Sequence, residues 1–177
     1  MQNKKRIAIS VVLILVICLF AVIRINYFSA IVSGSSMEPV LQNNDKLLVK
    51  RTQKIKRFDI ILAADSKGKV YVKRVVGLPG EKLKFSHDCL YINGKQVKEK
   101  YLHRSASYAK GELLTADFPQ NKGTYKVPAG KYFLMGDNRI VSKDSRMFGP
   151  VKKKAIKGRV VAIIAPNKRI KILRSGM

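Results

Sequence analysis

The sequence predicts a mainly β protein, with an antiparallel β-sheet domain behind one N-terminal transmembrane helix. Residues 7–23 form an apolar run that only Ser10 interrupts, which is the pattern of a membrane-spanning helix. After this run, short segments rich in β-branched residues alternate with turn signals, and no longer segment carries a 3.6-residue period. Because short strands at this spacing are typical of antiparallel sheets, we expect the rest of the chain to form one β domain.

The apolar run favours an uncleaved membrane anchor over a cleaved signal peptide. Its 17 residues reach the lower limit for a spanning helix and exceed the apolar core of most cleaved signals. A cleaved signal would need small residues shortly after the run. The chain continues there with 24–28, Arg-Ile-Asn-Tyr-Phe, and Phe28-Ser29-Ala30 is the nearest and weak cleavage candidate.

The charges that flank the run predict its orientation. Lys4, Lys5 and Arg6 precede it, and Arg24 follows it. The excess of basic residues before the run places the N-terminus in the cytoplasm. We therefore expect a cytoplasmic segment at 1–6, a transmembrane anchor at 7–24 and an extracytoplasmic catalytic domain at 25–177.

The predicted strands follow one another along the extracytoplasmic part. In the segment Lys69 to Leu78, Tyr71, Lys73 and Val75 share one face, because side chains alternate along a strand. A polar insertion without periodicity is expected around 99–123. The other predicted strands and hairpins are Lys46 to Lys50, Asp59 to Ala63, a hairpin over Leu83 to Val97 with Asn93-Gly94 as its turn, Tyr125 to Met135, Gly158 to Ala165 and Arg169 to Leu173.

The net charge limits the classes of partner. Lys and Arg total 36 against 11 Asp and Glu, a net charge of +25. Such a charge attracts polyanions, including anionic lipid and anionic cell-wall polymer. Nucleic acid is disfavoured as a partner because the basic residues are spread along the whole chain and no nucleic-acid-binding motif occurs.

The cysteines and histidines indicate no metal, no cofactor and no structural disulfide. Cys18 lies inside the apolar run and Cys89 in a later β-like segment, so a membrane would separate them. Neither belongs to a Cys-x-x-Cys pair. His87 and His103 lie on a polar stretch without a third ligand, and we interpret both as loop or surface residues.

A serine-rich turn, Ser33-Gly34-Ser35-Ser36-Met37-Glu38-Pro39, offers a candidate nucleophile. Since Glu38 replaces the second glycine, the turn is not the Gly-x-Ser-x-Gly elbow, and no histidine is near in sequence. On spacing alone, His87 or His103 stays open as the base of a conventional triad. A lysine could serve as the base if burial lowered its pKa, because only about one free lysine in a few thousand is neutral at pH 7. Lys73 suits this role, although a turn serine and a solvated strand lysine are the ordinary interpretations of such residues.

The order of several motifs along the chain outweighs those ordinary interpretations. Behind the anchor, the sequence strongly resembles the bacterial type I signal peptidases of the Ser/Lys dyad kind, in particular the small Gram-positive members. The resemblance covers roughly residues 4–165. The motifs that carry it are Gly34-Ser35-Ser36-Met37-Glu38-Pro39, Arg57-Phe58-Asp59-Ile60-Ile61, Tyr71-Val72-Lys73-Arg74-Val75-Val76-Gly77-Leu78-Pro79-Gly80, Gly136-Asp137-Asn138-Arg139, Ser142-Lys143-Asp144-Ser145-Arg146 and Gly149.

The resemblance implies a membrane-bound endopeptidase that removes signal peptides from secretory preproteins after a small residue. It implies that Ser36 is the nucleophile, Lys73 the general base and Ser142 the residue that orients the lysine by a hydrogen bond. Gly34 matches a position that contributes to the oxyanion hole. Because glycine has no hydroxyl, we expect the hole to consist of backbone N–H groups, chiefly that of Ser36.

The resemblance also implies two ion pairs, Asp144 with Arg146 beneath the site and Asp137 with Arg74. A purely structural role stays open for these four residues. The residues that match the lining of the pockets for the small leader residues are Val32, Met37, Leu41, Tyr71 and Val72.

Two positions depart from the resemblance. Val40 stands where these enzymes usually have threonine, and Phe58 stands where they usually have glycine. Three alternatives remain at this stage: a catalytically silent, membrane-tethered β protein that binds anionic wall polymer or lipid, a peptidase relative with a failed pocket, and a self-cleaving relative. The first explains the charge and the anchor but not the joint occurrence of the motifs.

Overall fold

The computed structural model describes residues 2–102, 113–120, 123–165 and 170–176. It confirms a mainly antiparallel β fold behind one N-terminal apolar helix. The helices are α1 (Gln2–Asn26) and α2 (Ser145–Phe148). The strands are β1 (Tyr27–Ile31), β2 (Lys46–Lys50), β3 (Ile60–Ala64), β4 (Val70–Gly77), β5 (Lys82–Ser86), β6 (Cys89–Ile92), β7 (Lys95–Val97), β8 (Tyr125–Lys126), β9 (Lys131–Met135), β10 (Val151–Lys152), β11 (Ile156–Ala165) and β12 (Lys171–Ile172).

Helix α1 contains the predicted anchor. The window Ile9–Asn26 has a mean hydropathy of 2.7, and none of it is buried against the rest of the protein. By length and composition this helix can span a membrane. It continues directly into β1 at Tyr27, a strand that the sequence did not predict.

Two sheets build the β domain. The larger sheet has the strand order β1-β2-β11-β3-β4-β9-β10, and β12 pairs with β11 beside this path. The smaller sheet has the order β7-β6-β5-β8. The strand pairs among the described residues are antiparallel. Lys73 is opposite Ile61 and Arg74 is opposite Ile60, and these two isoleucines belong to different apolar clusters, so β4 alternates as predicted.

Three apolar clusters cover the two faces of the larger sheet. One, around Leu47, Val49 and Leu62, packs β2, β3 and β11 against the segment between β1 and β2. A second joins β4 and β9 to the smaller sheet. The third, which includes Ile61 and Val75, lies on the face of β4 that carries Lys73.

The predicted hairpin over Leu83 to Val97 is a three-stranded meander. Asn93 and Gly94 have φ of 51° and 80° and join β6 to β7, as the Asn-Gly signal predicts. His87 and Asp88, with φ of 49° and 63°, make the turn from β5 to β6 that the sequence did not reveal. His87 is therefore a loop residue, while His103 lies outside the described residues.

The polar insertion predicted at 99–123 is more ordered at its described ends than the sequence indicates. Phe118 exchanges backbone hydrogen bonds with Phe85 of β5, at 3.1 and 2.8 Å. Tyr101 and Thr115 are buried. The rest of the insertion, 103–112 and 121–122, lies outside the described residues.

Candidate active site

Ser36 and Lys73, 37 residues apart in the chain, meet at hydrogen-bonding distance, with 2.6 Å between Oγ and Nζ. Ser36 is in the segment between β1 and β2, and Lys73 is on β4. The two candidate catalytic residues are thus brought together by the packing of that segment onto the sheet. A hydroxyl and an amine at this separation can exchange a proton directly.

The segment that carries Ser36 is held by its own buried side chains. Met37 and Leu41 are buried in the core, and the Leu41 N–H donates to the Met37 carbonyl at 2.9 Å to close a turn. The Ser36 carbonyl accepts a hydrogen bond from the Asn138 N–H at 3.1 Å. Ser36 itself is only half-buried, so its hydroxyl is held at the surface by a segment whose neighbouring residues are anchored in the core.

Lys73 is a buried lysine, with 5% of its surface exposed. Its burial lowers the pKa of its amine, because the low-dielectric surroundings disfavour the cation. Asp144 and Asp137 act in the opposite direction and raise that pKa, but burial prevails. Lys73 therefore forms the neutral amine that a general base requires at a lower pH than a solvated lysine does.

Both ion pairs that the resemblance implies are present. Arg74 donates from Nε and Nη2 to the two carboxylate oxygens of Asp137, at 2.7 and 2.6 Å. Asp144 accepts from Nε and Nη2 of Arg146, both at 2.8 Å. Asp144 also accepts from the Gly136 N–H at 3.1 Å, so this carboxylate ties the end of β9 to α2.

Ser142 lies near the dyad without the hydrogen bond that the resemblance implies for it. Its hydroxyl is buried and has no hydrogen-bond partner among the described residues, so the expected bond to Lys73 is not formed in this structure. The partner that the structure gives the Lys73 amine is the Ser36 hydroxyl, at 2.6 Å. Ser142 nonetheless lies beside the nucleophile segment. A β-carbon at Gly136 would come within 2.3 Å of the Ser142 hydroxyl and 2.4 Å of the Ser36 carbonyl.

The N–H groups of Gly34 and Ser36 differ in whether they can donate to an oxyanion. Gly34, with φ of 91°, is in the left-handed region, and its N–H donates to Asn43 Oδ1 at 2.9 Å. The Ser36 N–H, by contrast, donates no hydrogen bond to any residue that the structure describes. Ser36 can therefore offer this N–H to a bound substrate, whereas that of Gly34 is already engaged.

The expected pocket residues divide into two groups. Val32, Met37 and Leu41 are 3, 1 and 0% exposed and belong to the core cluster, so they support the site from behind. For Leu41, which has no exposed surface, this differs from the expected direct lining of a pocket. Tyr71 and Val72 keep part of their surface exposed on β4.

Sequence reasoning missed a buried polar network on the other face of β4. Arg139 donates to Thr115 Oγ1 at 2.9 Å and pairs with Glu99, which also accepts from the Tyr101 hydroxyl. The Tyr101 ring lies against Arg74, with its centroid 3.9 Å from Cζ. The signal for this network in the sequence is the Gly-Asp-Asn-Arg motif, to which Arg139 belongs. The side chains with which Arg139 pairs lie in the aperiodic insertion, where no pattern indicates them.

The two residues that depart from the resemblance, Phe58 and Val40, have different surroundings. Phe58 adopts φ of 64°, a left-handed conformation that glycine adopts at less cost, and its carbonyl accepts from Arg74 Nη1 at 2.8 Å. The Phe58 ring packs on Tyr101, with centroids 5.2 Å apart. Val40 is half-buried against the core cluster behind the nucleophile segment.

Both the sequence and the fold are similar to those of known proteins. Residues 5–165 match the family described as signal peptidase, peptidase S26. Signal peptidase I V of Bacillus subtilis is 50% identical over 133 residues, which cover 72% of this chain and 79% of the relative. Signal peptidase IB of Staphylococcus aureus is 37% identical over 139 residues, which cover 73% of each chain.

A solved structure agrees with the sequence relatives. The crystal structure of a signal peptidase I from Enterococcus faecalis is 39% identical in sequence and superposes with a TM-score of 0.53. The match covers 63% of this chain and 97% of the solved chain. On these grounds, and as the ordered motifs predict, the chain belongs to the signal peptidase family, peptidase S26.

Proposed function

We propose that this protein is a membrane-bound serine endopeptidase that removes signal peptides from secreted preproteins, with Ser36 as nucleophile and Lys73 as general base. The observation that carries the assignment of the dyad is the 2.6 Å separation between Ser36 Oγ and the amine of a buried lysine. The membership in the signal peptidase family supports the reaction and the substrate class.

The reaction is an acyl transfer. The neutral Lys73 amine takes the hydroxyl proton while Ser36 Oγ attacks the scissile carbonyl of the leader. The oxyanion that forms accepts a hydrogen bond from the Ser36 N–H. The Lys73 ammonium then protonates the leaving amine as the peptide bond breaks. A water, deprotonated by the same lysine, hydrolyses the ester and releases the leader.

The surroundings of Lys73 meet both demands of this cycle. The amine must be neutral before attack and cationic in the tetrahedral intermediate. Burial favours the neutral form, whereas Asp144 and Asp137 favour the cation. Because these carboxylates are held by Arg146 and Arg74, their charges keep fixed positions throughout the reaction.

The open edge of β4 offers a binding place for an extended leader. Among the described residues, β4 pairs with β9 through Arg74, Val75 and Gly77, and no described strand pairs with the edge from Val70 to Lys73 on that side. A peptide strand added there would lie beside the dyad, and every second side chain would face the enzyme. Because of this alternation, the leader residues at −1 and −3 would both face the enzyme, which accounts for small residues at both positions. The residues proposed to line or support the pockets for them are Tyr71, Val72, Val32, Met37 and Leu41.

The protein resides in the membrane through α1, with the N-terminus in the cytoplasm and the β domain outside. Lys4, Lys5 and Arg6 before the anchor support this orientation. A sheet face with exposed isoleucines supports further contact between the β domain and lipid. Ile170 and Ile172 are 78 and 76% exposed, and Ile172 pairs with Ala162 of β11, two residues before the partly exposed Ile164.

The test is cleavage of a secretory preprotein by the full-length enzyme in neutral detergent. Ser36→Ala and Lys73→Ala should each lower the rate by at least about 100-fold, since a positioned base alone contributes about 10²–10⁴-fold. Ser35→Ala and Lys69→Ala are matched controls, because both residues are exposed neighbours that touch no catalytic group. Near-normal cleavage by Lys73→Ala would contradict the dyad. A wild type that binds anionic polymer but cuts nothing would favour the silent tethered protein instead.

A further inference from the structure

A cavity separate from the dyad lies between the C-terminal segment and the start of the insertion. Its volume is about 520 Å³, and neither Ser36 nor Lys73 lines it. Volumes of about 300–1,000 Å³ are typical of sites for small molecules. The proposed reaction uses none of this space.

One side of the cavity is apolar. Val40, Ile60 and Val160 belong to or pack against the core cluster, and Phe58 and Leu173 complete this wall. A ligand that fills the cavity therefore needs an apolar portion, because a wholly polar molecule would lose its hydration against these side chains.

The mouth of the cavity is strongly basic. Lys98, Lys100, Lys171 and Arg174 are exposed around it, and none forms an ion pair with a described acidic residue. The acidic lining residue among those described is Asp59. It is buried and already accepts from the Lys56 N–H at 2.8 Å, the Ser175 hydroxyl at 2.8 Å and the Gly176 N–H at 3.1 Å.

The last strand connects this cavity with the face proposed to contact lipid. Lys171, Ile172 and Leu173 all line the cavity, and Ile170 and Ile172 are strongly exposed. Ile172 thus belongs both to the rim of the cavity and to the face proposed to contact lipid, so β12 joins the two. A molecule that enters here from a bilayer would meet cations at the level of its headgroup and an apolar wall beyond them.

We infer that this cavity binds one anionic phospholipid, with the phosphate among Lys98, Lys100, Lys171 and Arg174 and the beginning of an acyl chain against the apolar wall. The inference rests on the proposed function in one respect, namely that the β domain works at the membrane surface. It adds a specific lipid site to that function and leaves the dyad chemistry unchanged.

The test measures the thermal unfolding of the full-length protein in neutral detergent with short-chain lipids. Dioctanoyl phosphatidylglycerol should raise Tm in a concentration-dependent manner, because a ligand that binds only the folded state stabilises it. Dioctanoyl phosphatidylcholine, which carries no net charge, should raise it far less. Glycerol phosphate tests the free headgroup, and a shift equal to that of the anionic lipid would overturn a lipid site.

Substitutions around the cavity test whether the lipid binds there. Lys171→Glu/Arg174→Glu and, on the other side of the mouth, Lys98→Glu/Lys100→Glu should each weaken the apparent affinity by at least about tenfold. Leu173→Trp should weaken it by filling the apolar wall while all the charges remain. The matched control, Lys95→Glu/Lys126→Glu on the smaller sheet, changes the net charge equally and should bind as the wild type does.

Cleavage of a preprotein, measured on the same preparations, separates the two proposals. The charge variants should cleave at the wild-type rate in neutral detergent, since their side chains are not in the dyad. Wild-type lipid responses in both mouth variants, or equal responses to the two lipids, would overturn the lipid site whatever the cleavage shows. Loss of the lipid response together with normal cleavage would support the site, and failure of Ser36→Ala to stop cleavage would overturn only the proposed function.

Discussion

At the scale of single residues, we expect Lys73 to determine how the cleavage rate depends on pH. Burial lowers the pKa of its amine from the usual 10.5, so kcat/KM should rise with pH along a limb whose midpoint lies below that value. Below this midpoint the lysine is protonated and cannot accept the Ser36 proton. The measurement is a pH–rate profile with a soluble leader peptide. A limb near 6.5 that vanished on replacement of both histidines would instead indicate a histidine base.

The same lowered pKa has a consequence for stability. In the pH range between the folded-state pKa and 10.5, the unfolded chain binds more protons than the folded one, so Lys73 contributes increasing stability as pH rises. Below this range Lys73 lowers the stability of the folded protein, because its burial disfavours the cation that the unfolded chain carries. Lys73→Met should therefore raise the free energy of unfolding at pH 7, and its advantage should shrink as the pH approaches 10. An advantage independent of pH would contradict the lowered pKa.

Ser142 gives a second prediction at this scale. Because its buried hydroxyl has no partner among the described residues, Ser142→Ala should leave the free energy of unfolding unchanged or raise it by about 1–3 kcal/mol. If the hydroxyl orients the Lys73 ammonium during the reaction, kcat should fall by about tenfold or more, as for a lost hydrogen bond to a charged group. Denaturant unfolding and cleavage rates measure the two effects separately.

Ser145 is the matched control for Ser142. It is equally buried, but its hydroxyl accepts from the Leu134 N–H at 2.9 Å. Ser145→Ala should therefore lower the stability by about 1 kcal/mol and leave the chemical step nearly unchanged. If Ser142→Ala behaved in the same way, with a stability loss and a normal kcat, the positioning role would be wrong.

The residues of the site show how far sequence alone could lead. Ser36 and Lys73 were predicted from the order of the surrounding motifs, since each residue alone has a common structural explanation. The contact of Glu99 with Arg139 spans 40 residues and joins a motif to an aperiodic insertion, so no local pattern could indicate it. The unpartnered hydroxyl of Ser142 is likewise a tertiary property, because it depends on where the lysine amine lies.

At the scale of elements, the Arg74–Asp137 ion pair joins β4 to the segment that follows β9. Both side chains are almost fully buried, at 4 and 0% exposure. Asp137→Asn should destabilise the fold by about 3–5 kcal/mol, because the substitution removes one charge of a buried ion pair. The same substitution should also shift the rising limb of the pH–activity profile to lower pH, since the Asp137 carboxylate raises the pKa of Lys73.

The more exposed ion pair between Arg57 and Glu81 is the control. Its side chains keep 21 and 16% of their surface exposed, so Glu81→Gln should cost less than Asp137→Asn in urea unfolding. It should also leave the activity limb in place, as Glu81 does not act on Lys73. Equal costs for the two substitutions, or an unmoved limb in Asp137→Asn, would show that the buried pair does not influence the base.

The elements themselves were predictable where the alternation was strong. β4, β11 and the Asn93-Gly94 hairpin follow directly from strand periodicity and turn chemistry. β1 was missed because its sequence, Tyr-Phe-Ser-Ala-Ile, continues the apolar character of the helix before it. The β5–β6 turn was missed because His87 and Asp88 adopt positive φ without a glycine, a choice that tertiary contacts such as the His87 N–H to Asp117 bond stabilise.

At the scale of the whole molecule, the division between anchor and β domain leads to the last prediction. None of the span Ile9–Asn26 is buried against the rest of the protein, so α1 contributes little to the stability of the sheets. Replacement of this span by an unrelated apolar helix should preserve cleavage of a membrane-inserted preprotein. Deletion of residues 2–25 should lower that cleavage strongly, because tethering enzyme and leader in one bilayer raises their effective concentration.

A soluble leader peptide in detergent provides the control for the deletion. This substrate gains nothing from a shared bilayer, so the truncated and full-length enzymes should cleave it at similar rates. A deletion that abolished both activities, together with a lowered Tm, would show that α1 supports the fold of the domain. Loss of preprotein cleavage in the helix-swapped enzyme would show instead that α1 recognises the leader through its own side chains. An anchor that acts by proximity requires two results together. The helix-swapped enzyme must still cleave the preprotein, and the deletion must lower cleavage of the preprotein but not of the soluble peptide.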